Sequence, residues 1–586
     1  MLKLLRYFTK REWGLAVLAL LCIVLQVWMD LTMPGYMSQI TTLVETEGSA
    51  MRDILYNGGM MLLCALGSMA ASVATVLLAA QIASGFSASL RARLFDRVES
   101  FSIEEISRFS TASLITRTTN DVTQVEMFVV MGLQMLIKAP ITAVWAVLKI
   151  AGKSWQWTFA TGVAVAVLVI LVGIILLLAM PKFRMMQRLT DDLNRVTREN
   201  LTGLSVVRAY NAEEYQEQKF ERTNDEVVAT TLFSNHAMAF LQPGIQTISN
   251  GLTLAIYWIG AYLIGAAAAE SRLPLFSDMV VFSSYALQVV LAFMMLVMVF
   301  MLLPRASVSA KRIGEVLDTQ PTIIDGKRRK GAPNVSGEVE FRNVSFRYPD
   351  SEEYVLHNVS FTAHRGETVA IIGSTGSGKS TLINLVPRFY DVTEGQVLVD
   401  GADVREYAHY DLNNKIGYVS QKATLFSGTV RSNIAFGDNG RDAAQMQAAV
   451  PAAAATAQAS EFVEKLPDGY DGYVAQLGRN FSGGQKQRIS IARAVCRDAE
   501  ILIFDDSFSA LDYKTDRILR AALRRDCTDA TKLIVAQRIG TIRDADRIIV
   551  LDRGEVAGIG THAELMKDCD VYRQIAYSQL SKEELA

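Results

Sequence analysis

Residues 368–389 read TVAIIGSTGSGKSTLINLVPRF. The first five are apolar and mostly β-branched, which predicts a short buried strand. The run ends in Gly373-Ser374-Thr375-Gly376-Ser377-Gly378-Lys379-Ser380, a match to G-x-x-x-x-G-K-[ST], and a helical pattern begins around Thr381. A strand that feeds this loop into a helix is the context that makes the motif a phosphate cradle. Its glycines let backbone N–H groups wrap the phosphates, Lys379 reaches the terminal ones, and Ser380 offers a hydroxyl to Mg²⁺.

Downstream, the apolar run ILIF (501–504) ends in Asp505, which suits a Walker-B carboxylate that holds Mg²⁺. Between loop and carboxylate lies FSGGQKQR (481–488). Ser482, Gly483, Gly484 and Gln485 read as a helix N-terminus with exposed amides, a second phosphate site. Two such sites in one chain make sense when two nucleotide domains face each other, each helix end capping the other's nucleotide. The runs VEFRNVSF (339–346), KLIVAQ (532–537) and RIIVLD (547–552) are further strand candidates. Helical stretches separate most of them, so a mixed α/β sheet covered by helices is predicted for 337–586.

The other half of the chain has a different character. Half of the 586 residues are hydrophobic and only 20% are charged. That apolar content excludes a disordered protein and is unusual for a soluble globule. Residues 13–29, 31–44, 54–90, 154–181, 227–269 and 279–304 carry no charge, and 127–148 only Lys138. A spanning helix needs ~20 mostly apolar residues. Six are predicted, near 14–40, 55–80, 128–150, 155–180, 243–268 and 279–303, within a membrane domain 1–305; a basic linker with Pro321, Gly326, Gly331 and Pro333 follows over 306–336. Lys and Arg cluster before the first run and in the stretches 91–117 and 182–222. The positive-inside rule then places both termini, the two long loops and the second domain in the cytoplasm. The first run lacks a small-residue cleavage site and is read as a retained helix.

Lys+Arg total 58 and Asp+Glu 60, a net charge of −2, which argues against a nucleic-acid partner recruited by bulk charge. The five cysteines and five histidines are scattered, without metal-ligand or disulfide spacing.

Together these motifs resemble a half-size ATP-binding cassette (ABC) exporter over nearly the whole chain. The resemblance implies a type IV exporter fold, with a six-helix all-α membrane domain ahead of an α/β P-loop domain, and ATP with Mg²⁺ as cofactors. It makes Tyr348 in FRYP the aromatic that stacks on adenine. Gln421 becomes the Q-loop residue that joins Ser380 and Asp505 around Mg²⁺, and Asp512 in SALD (509–512) belongs to the D-loop. TRTTNDV (116–122) and RENLTGLSVVRAYNAEE (198–214) resemble the two intracellular loops whose coupling helices press on the nucleotide domains.

Two residues depart from the family pattern. The general base after the Walker-B aspartate is normally Glu; here it is Asp506. The switch histidine is replaced by Gln537 in VAQRIGTI. Asp506 sets its carboxylate back by one methylene, and a misplacement of about 1 Å can cost ~100-fold. An amide donates a hydrogen bond but takes up no proton as imidazole does. Gln476 also stands where the family often has Glu. The expectation is a degenerate site that binds ATP and hydrolyses it slowly. The intact signature would complete a catalytic site on a different half-transporter, in a heterodimeric, multidrug-type efflux pump of the bacterial cytoplasmic membrane. Its substrates would be hydrophobic or amphipathic small molecules. An exporter-fold importer, a lipid or peptide transporter and a mainly regulatory subunit are the alternatives. Within the apolar runs, the methionines (Met29, Met33, Met294, Met298 among them) suit either packing or promiscuous apolar ligands. Asp30 and Lys138 either pair with each other or line the substrate route.

Overall fold

The computed structural model describes residues 2–46, 49–151, 154–438 and 440–579. It divides into two units, Met1–Glu99 with Ala112–Thr319, and Ser100–Thr111 with Gln320–Ala586.

In the first unit six helices are long and apolar enough to cross a membrane: Lys10–Glu45, Met51–Glu99, Thr111–Ile150, Trp155–Thr202, Glu213–Ala266 and Ser271–Val299. Each predicted run falls on one of them; four lie wholly inside, while 243–268 and 279–303 end two and four residues beyond Ala266 and Val299. The helices exceed bilayer thickness because amphipathic, charged sequence continues the helical pattern beyond the apolar run. Thr9 and Glu12 start the first helix with a capping box. Their side chains satisfy each other's backbone amides at 3.3 and 2.7 Å. The helices pack around Ile23, Val27, Trp157, Leu252, Phe282 and Val289. The Trp157 indole donates to the Ile256 carbonyl (3.1 Å) and the Tyr285 hydroxyl to that of Leu31 (2.9 Å). Outward-facing side chains stay apolar, as for Leu177, 78% exposed, and Trp258, 75% exposed. This inversion of the soluble pattern is what a lipid solvent selects.

Two sequence expectations need correction here. The final helix runs from Ala269 to Asp318, so the boundary at 305 falls inside a helix. The basic stretch 306–318 has apolar residues at helical spacing (Ala306, Ala310, Ile313, Val316 and Leu317 are buried), and this outweighs its charge. The 116–122 stretch is not a separate coupling helix. Arg117–Asp121 form a π-turn within a continuing helix. Buried Asp121 takes the Ser309 hydroxyl (2.8 Å) and the Arg312 guanidinium (3.3 Å), while Arg117 reaches Glu315 (2.9 Å). The short helix of this connection is Ile103–Phe109 instead, which groups with the second unit. Glu105 closes its capping box on Ser102 (2.7 Å) and accepts the Thr322 amide (2.9 Å). In the other long connection, Leu204–Ala209 is a short separate helix within 198–214. Pro34 leaves the first helix unbroken, and Pro243 lies in the first turn of the segment Leu241–Ala266, where its missing amide hydrogen is tolerated.

The second unit is built on a six-stranded sheet in the order Glu555–Gly560, Arg547–Asp552, Thr368–Gly373, Thr531–Val535, Ile501–Asp505, Ile416–Val419. Only the first pair is antiparallel. The parallel strands are covered on both faces, which explains their unbroken apolar runs. Alternation divides each strand between two cores: Val369 and Ile371 enter one, Ala370 and Ile372 the other. A four-stranded antiparallel sheet, including Val339–Phe346 and Leu356–Ala363, closes one of these cores. The phosphate loop, Asp505 and Gln537 all follow the C-terminal ends of adjacent parallel strands, where such sheets hold their ligands.

Candidate nucleotide site

The loop after Thr368–Gly373 turns through two left-handed glycines, Gly376 (φ 83°) and Gly378 (φ 93°). A Cβ on Gly378 would lie 2.7 Å from the Leu356 side chain and 3.0 Å from the Val355 carbonyl, so both conformation and space require glycine. The helix Lys379–Asn384 starts at once. Buried Lys379 directs its ammonium back along the loop to the carbonyls of Gly373 (3.0 Å) and Ser374 (2.6 Å). Burial holds it below the usual lysine range, against the pull of Asp506 and Asp505. Ser377 is buried, and its amide closes a turn on the Ser374 carbonyl; Thr375 lies between them in the exposed part of the loop.

The Ser380 hydroxyl donates to Asp505 (2.7 Å), which joins the phosphate loop to the end of strand Ile501–Asp505. Asp505 and Asp506 are both buried, and desolvation raises both carboxyls above the usual range. Adjacent buried carboxylates with a hydroxyl form a hard-oxygen donor set, and this fits a Mg²⁺ ion. The Gln421 side chain sits at the same place, its amide 3.5 Å from Asp506.

Asp506 adopts a left-handed backbone (φ 45°), with its amide on the Val535 carbonyl (3.0 Å) and its own carbonyl taking the Ser509 hydroxyl (2.8 Å). Its Oδ2 accepts a 2.9 Å hydrogen bond from the Gln537 amide. The two residues that depart from the family pattern are therefore direct partners. Gln537 is held in turn by a residue that no motif indicates. From the last helix, Gln579 donates to the Gln537 carbonyl (2.7 Å) and accepts the Ile539 amide (2.9 Å). Nothing local in the sequence marks Gln579, because its role exists only once that helix packs against the switch loop.

Tyr348 is half-buried, edge-on to Phe346 (5.0 Å) and Tyr390 (5.4 Å), and its hydroxyl meets that of Thr381 (2.9 Å). This ties the aromatic to the helix of the phosphate loop. The signature helix, Gly483–Cys496, begins with a capping box: Gln485 accepts the Ser482 amide (2.9 Å) and Ser482 accepts the Gln485 amide (3.3 Å). Both side chains are thus engaged in the cap, and the first-turn amides of Gly483 and Gly484 are the groups left for an anion. A Cβ on Gly484 would lie 3.2 Å from the Ala510 carbonyl, while the space beside Gly483 is open. Asp512 caps the next helix through the Thr515 amide (3.0 Å), which holds its exposed carboxyl below the usual range. Gln476 opens a short 3-10 turn ahead of the signature.

A P-loop ATPase with a signature helix, on a chain that also carries six membrane-length helices, defines an ATP-driven transporter. Comparison with known proteins agrees. Residues 356–509 match the family model for ABC transporters, and 16–293 that for the ABC transporter transmembrane region. The chain is 40% identical over 522 residues to an uncharacterized ABC transporter ATP-binding protein of Mycobacterium tuberculosis, covering 89% of this chain and 87% of that one. A Bacillus subtilis relative of the same description is 35% identical over 97% of both chains. An ATP-dependent lipid A-core flippase of Syntrophus aciditrophicus is 32% identical over 85% of this chain and 81% of that one. A bacterial Atm1-family ABC exporter with ATP bound superposes with a TM-score of 0.79 at 25% identity, over 97% of both chains. The chain belongs to the ABC transporter family: it is a half-size exporter of the multi-pass membrane type, whose ATPase is coupled to transport.

Proposed function

We propose that this chain is the unequal half of a heterodimeric exporter, and that its own ATP site turns over slowly. One observation carries the reading: the Asp506 carboxylate is hydrogen-bonded to Gln537 at 2.9 Å. A general base must present a free lone pair to the attacking water. Here the carboxylate is one methylene shorter than Glu, its Oδ2 carries the amide donor, and Gln537, which takes up no proton, stands where the family has histidine.

ATP would lie with its adenine on Tyr348 and its phosphates on Gly373–Thr381, with Lys379 supplying the positive charge. Ser380, Gln421 and Asp505 would hold Mg²⁺, which neutralises phosphate charge when bound. Ser482, Gly483, Gly484 and Gln485, with Asp512 nearby, would complete the site of a second, different half-transporter that has Glu and His at the two departed positions. ATP binding then brings the cassettes together, and hydrolysis in the partner's site resets them. The charge asymmetry of the loops supports an orientation with both termini and the ATPase inside, and the bacterial relatives favour the cytoplasmic membrane. Hydrophobic or amphipathic small molecules are the substrate class. The flippase relatives favour a second reading, in which the cargo is a lipid.

The test is ATP turnover of the chain purified alone and co-expressed with a candidate partner. Slow turnover alone, with full activity restored by the partner, is expected. A homodimer of this chain that hydrolyses ATP at full transporter rates would overturn the proposal. Vanadate trapping of labelled nucleotide should mark the partner rather than this chain.

A further inference from the structure

Within its apolar stretches the membrane unit holds a cross-helix ion pair that the ATPase does not use. At ~1.5 Å per residue, more than about 20 Å of helix separates Asp30 from its nearest charged neighbours along the chain, Glu12 and Glu45. Lys138 is more than about 15 Å from Glu126 and Lys149 in the same sense. The two side chains meet: Lys138 Nζ is 3.7 Å from Asp30 Oδ2. They are only partly covered, 23% and 25% exposed. An ionisable pair in an apolar stretch is costly against acyl chains and by default marks a cavity or a substrate path.

The two partners are not equally satisfied. The other oxygen of Asp30 takes the Ser68 hydroxyl, and its backbone carbonyl takes the Gln288 amide (3.3 Å). The acid is thus anchored from neighbouring helices without Lys138. The ammonium, with three donors, has among the described residues only the 3.7 Å contact, longer than a hydrogen bond. Opening the pair therefore strands the base and not the acid, so a negatively charged guest gains most from it.

The surroundings specify the rest of that guest. Just before Lys138 the helix is interrupted by a π-turn, Gly132–Leu136. Just after it, Pro140, Ile141, Val144, Trp145 and Leu148 line an apolar groove of about 440 Å³. Ile141 and Trp145 stand three and seven residues after Lys138, on its own face of the helix. One surface thus offers a cation next to a shallow apolar groove.

We infer that Lys138, with Asp30 as its resting counter-ion, is the headgroup site for an anionic amphiphile whose alkyl chain lies along the Pro140–Leu148 groove. This rests on the reading of the chain as an exporter of amphipathic molecules and narrows it to a charge class.

The test is binding of radiolabelled dodecyl phosphate to the full chain in phosphatidylcholine nanodiscs, by scintillation proximity with empty discs subtracted. Dodecyltrimethylammonium serves as the opposite-charge probe. Saturable dodecyl phosphate binding is expected, with Lys138→Gln weakening it at least ~10-fold and Lys138→Arg keeping it within ~3-fold, the scale of a charge-assisted hydrogen bond. Asp30→Asn should not weaken it. No saturable binding, an unchanged affinity in Lys138→Gln, or tighter binding of the ammonium probe that is lost in Asp30→Asn would each overturn the assignment. Nucleotide photolabelling of the same samples reports folding and the ATP site separately. Failure of the unequal-halves reading would thus appear in ATP turnover, and failure of this one in probe binding.

Discussion

The two phosphate-facing ends of the nucleotide-binding unit have been treated differently. At the signature end, Ser482 and Gln485 satisfy each other and leave the amides of Gly483 and Gly484 open toward an anion. At the Walker end, the carboxylate in the general-base position is bonded to Gln537. One end keeps its donors available, while at the other one oxygen of the carboxylate is tied to Gln537. The lesson is that binding and chemistry separate within one domain, because phosphate recognition uses backbone dipoles and water activation uses one free side chain.

The largest effect should come from attacking the intact end. Gly483→Glu places a carboxylate where the first-turn amides attract phosphate, in open space that a side chain can enter. It should lower phosphate release by the assembled transporter ~100-fold, the scale of losing a positioned anion-stabilising group. On the unequal-halves proposal, Asp506→Asn in this chain should change the same rate less than about twofold, since a slow site would contribute little to total turnover. A large loss there would erase the distinction between the two ends.

Repairing the engaged end is the converse. Asp506→Glu with Gln537→His should raise turnover at this chain's own site ~10-fold or more, read by vanadate trapping on this chain. A smaller change should follow Gln579→Ala, which removes both hydrogen bonds to the switch loop. We expect loss of about 1–2 kcal/mol of local stability, seen as faster amide exchange at Ile539, with nucleotide binding retained.

The smallest expected effect concerns stability. Burial raises the Asp505 carboxyl, so the native state binds more protons than the unfolded chain between the unfolded and the native pKa. Stability therefore falls as pH rises through that window, and the full cost of the buried charge is present at neutral pH. Asp505→Asn keeps an acceptor for Ser380 and removes the charge. It should stabilise the nucleotide-free protein by about 1 kcal/mol at pH 7, with the gain shrinking toward pH 4, measured as Tm of the full chain in detergent.

Much of this was legible along the chain. The phosphate loop, the signature and the six membrane helices each declare themselves within a window of about 20 residues, because strand, glycine turn and apolar run are local physics. Misreadings arose where composition competed with periodicity. The segment 306–318 looks like a linker by charge, yet its buried stripe makes it helix. Residues 116–122 carry the polar look of a surface loop, yet Asp121 is buried against Ser309 and Arg312. The short helix Ile103–Phe109 is marked in the sequence only by the capping box that Ser102 and Glu105 spell.

The sequence by itself determined the class of machine, a membrane half and an ATPase half, together with the two residues that make its site unusual. Those statements depend on residue type and spacing, which survive without coordinates. Only the tertiary structure decided that Asp506 and Gln537 are hydrogen-bonded to each other, that Gln579 braces the switch, and that Asp30 and Lys138 pair across helices far apart in sequence. Each is a contact between distant segments, and its energy depends on distance and burial, which no one-dimensional pattern encodes.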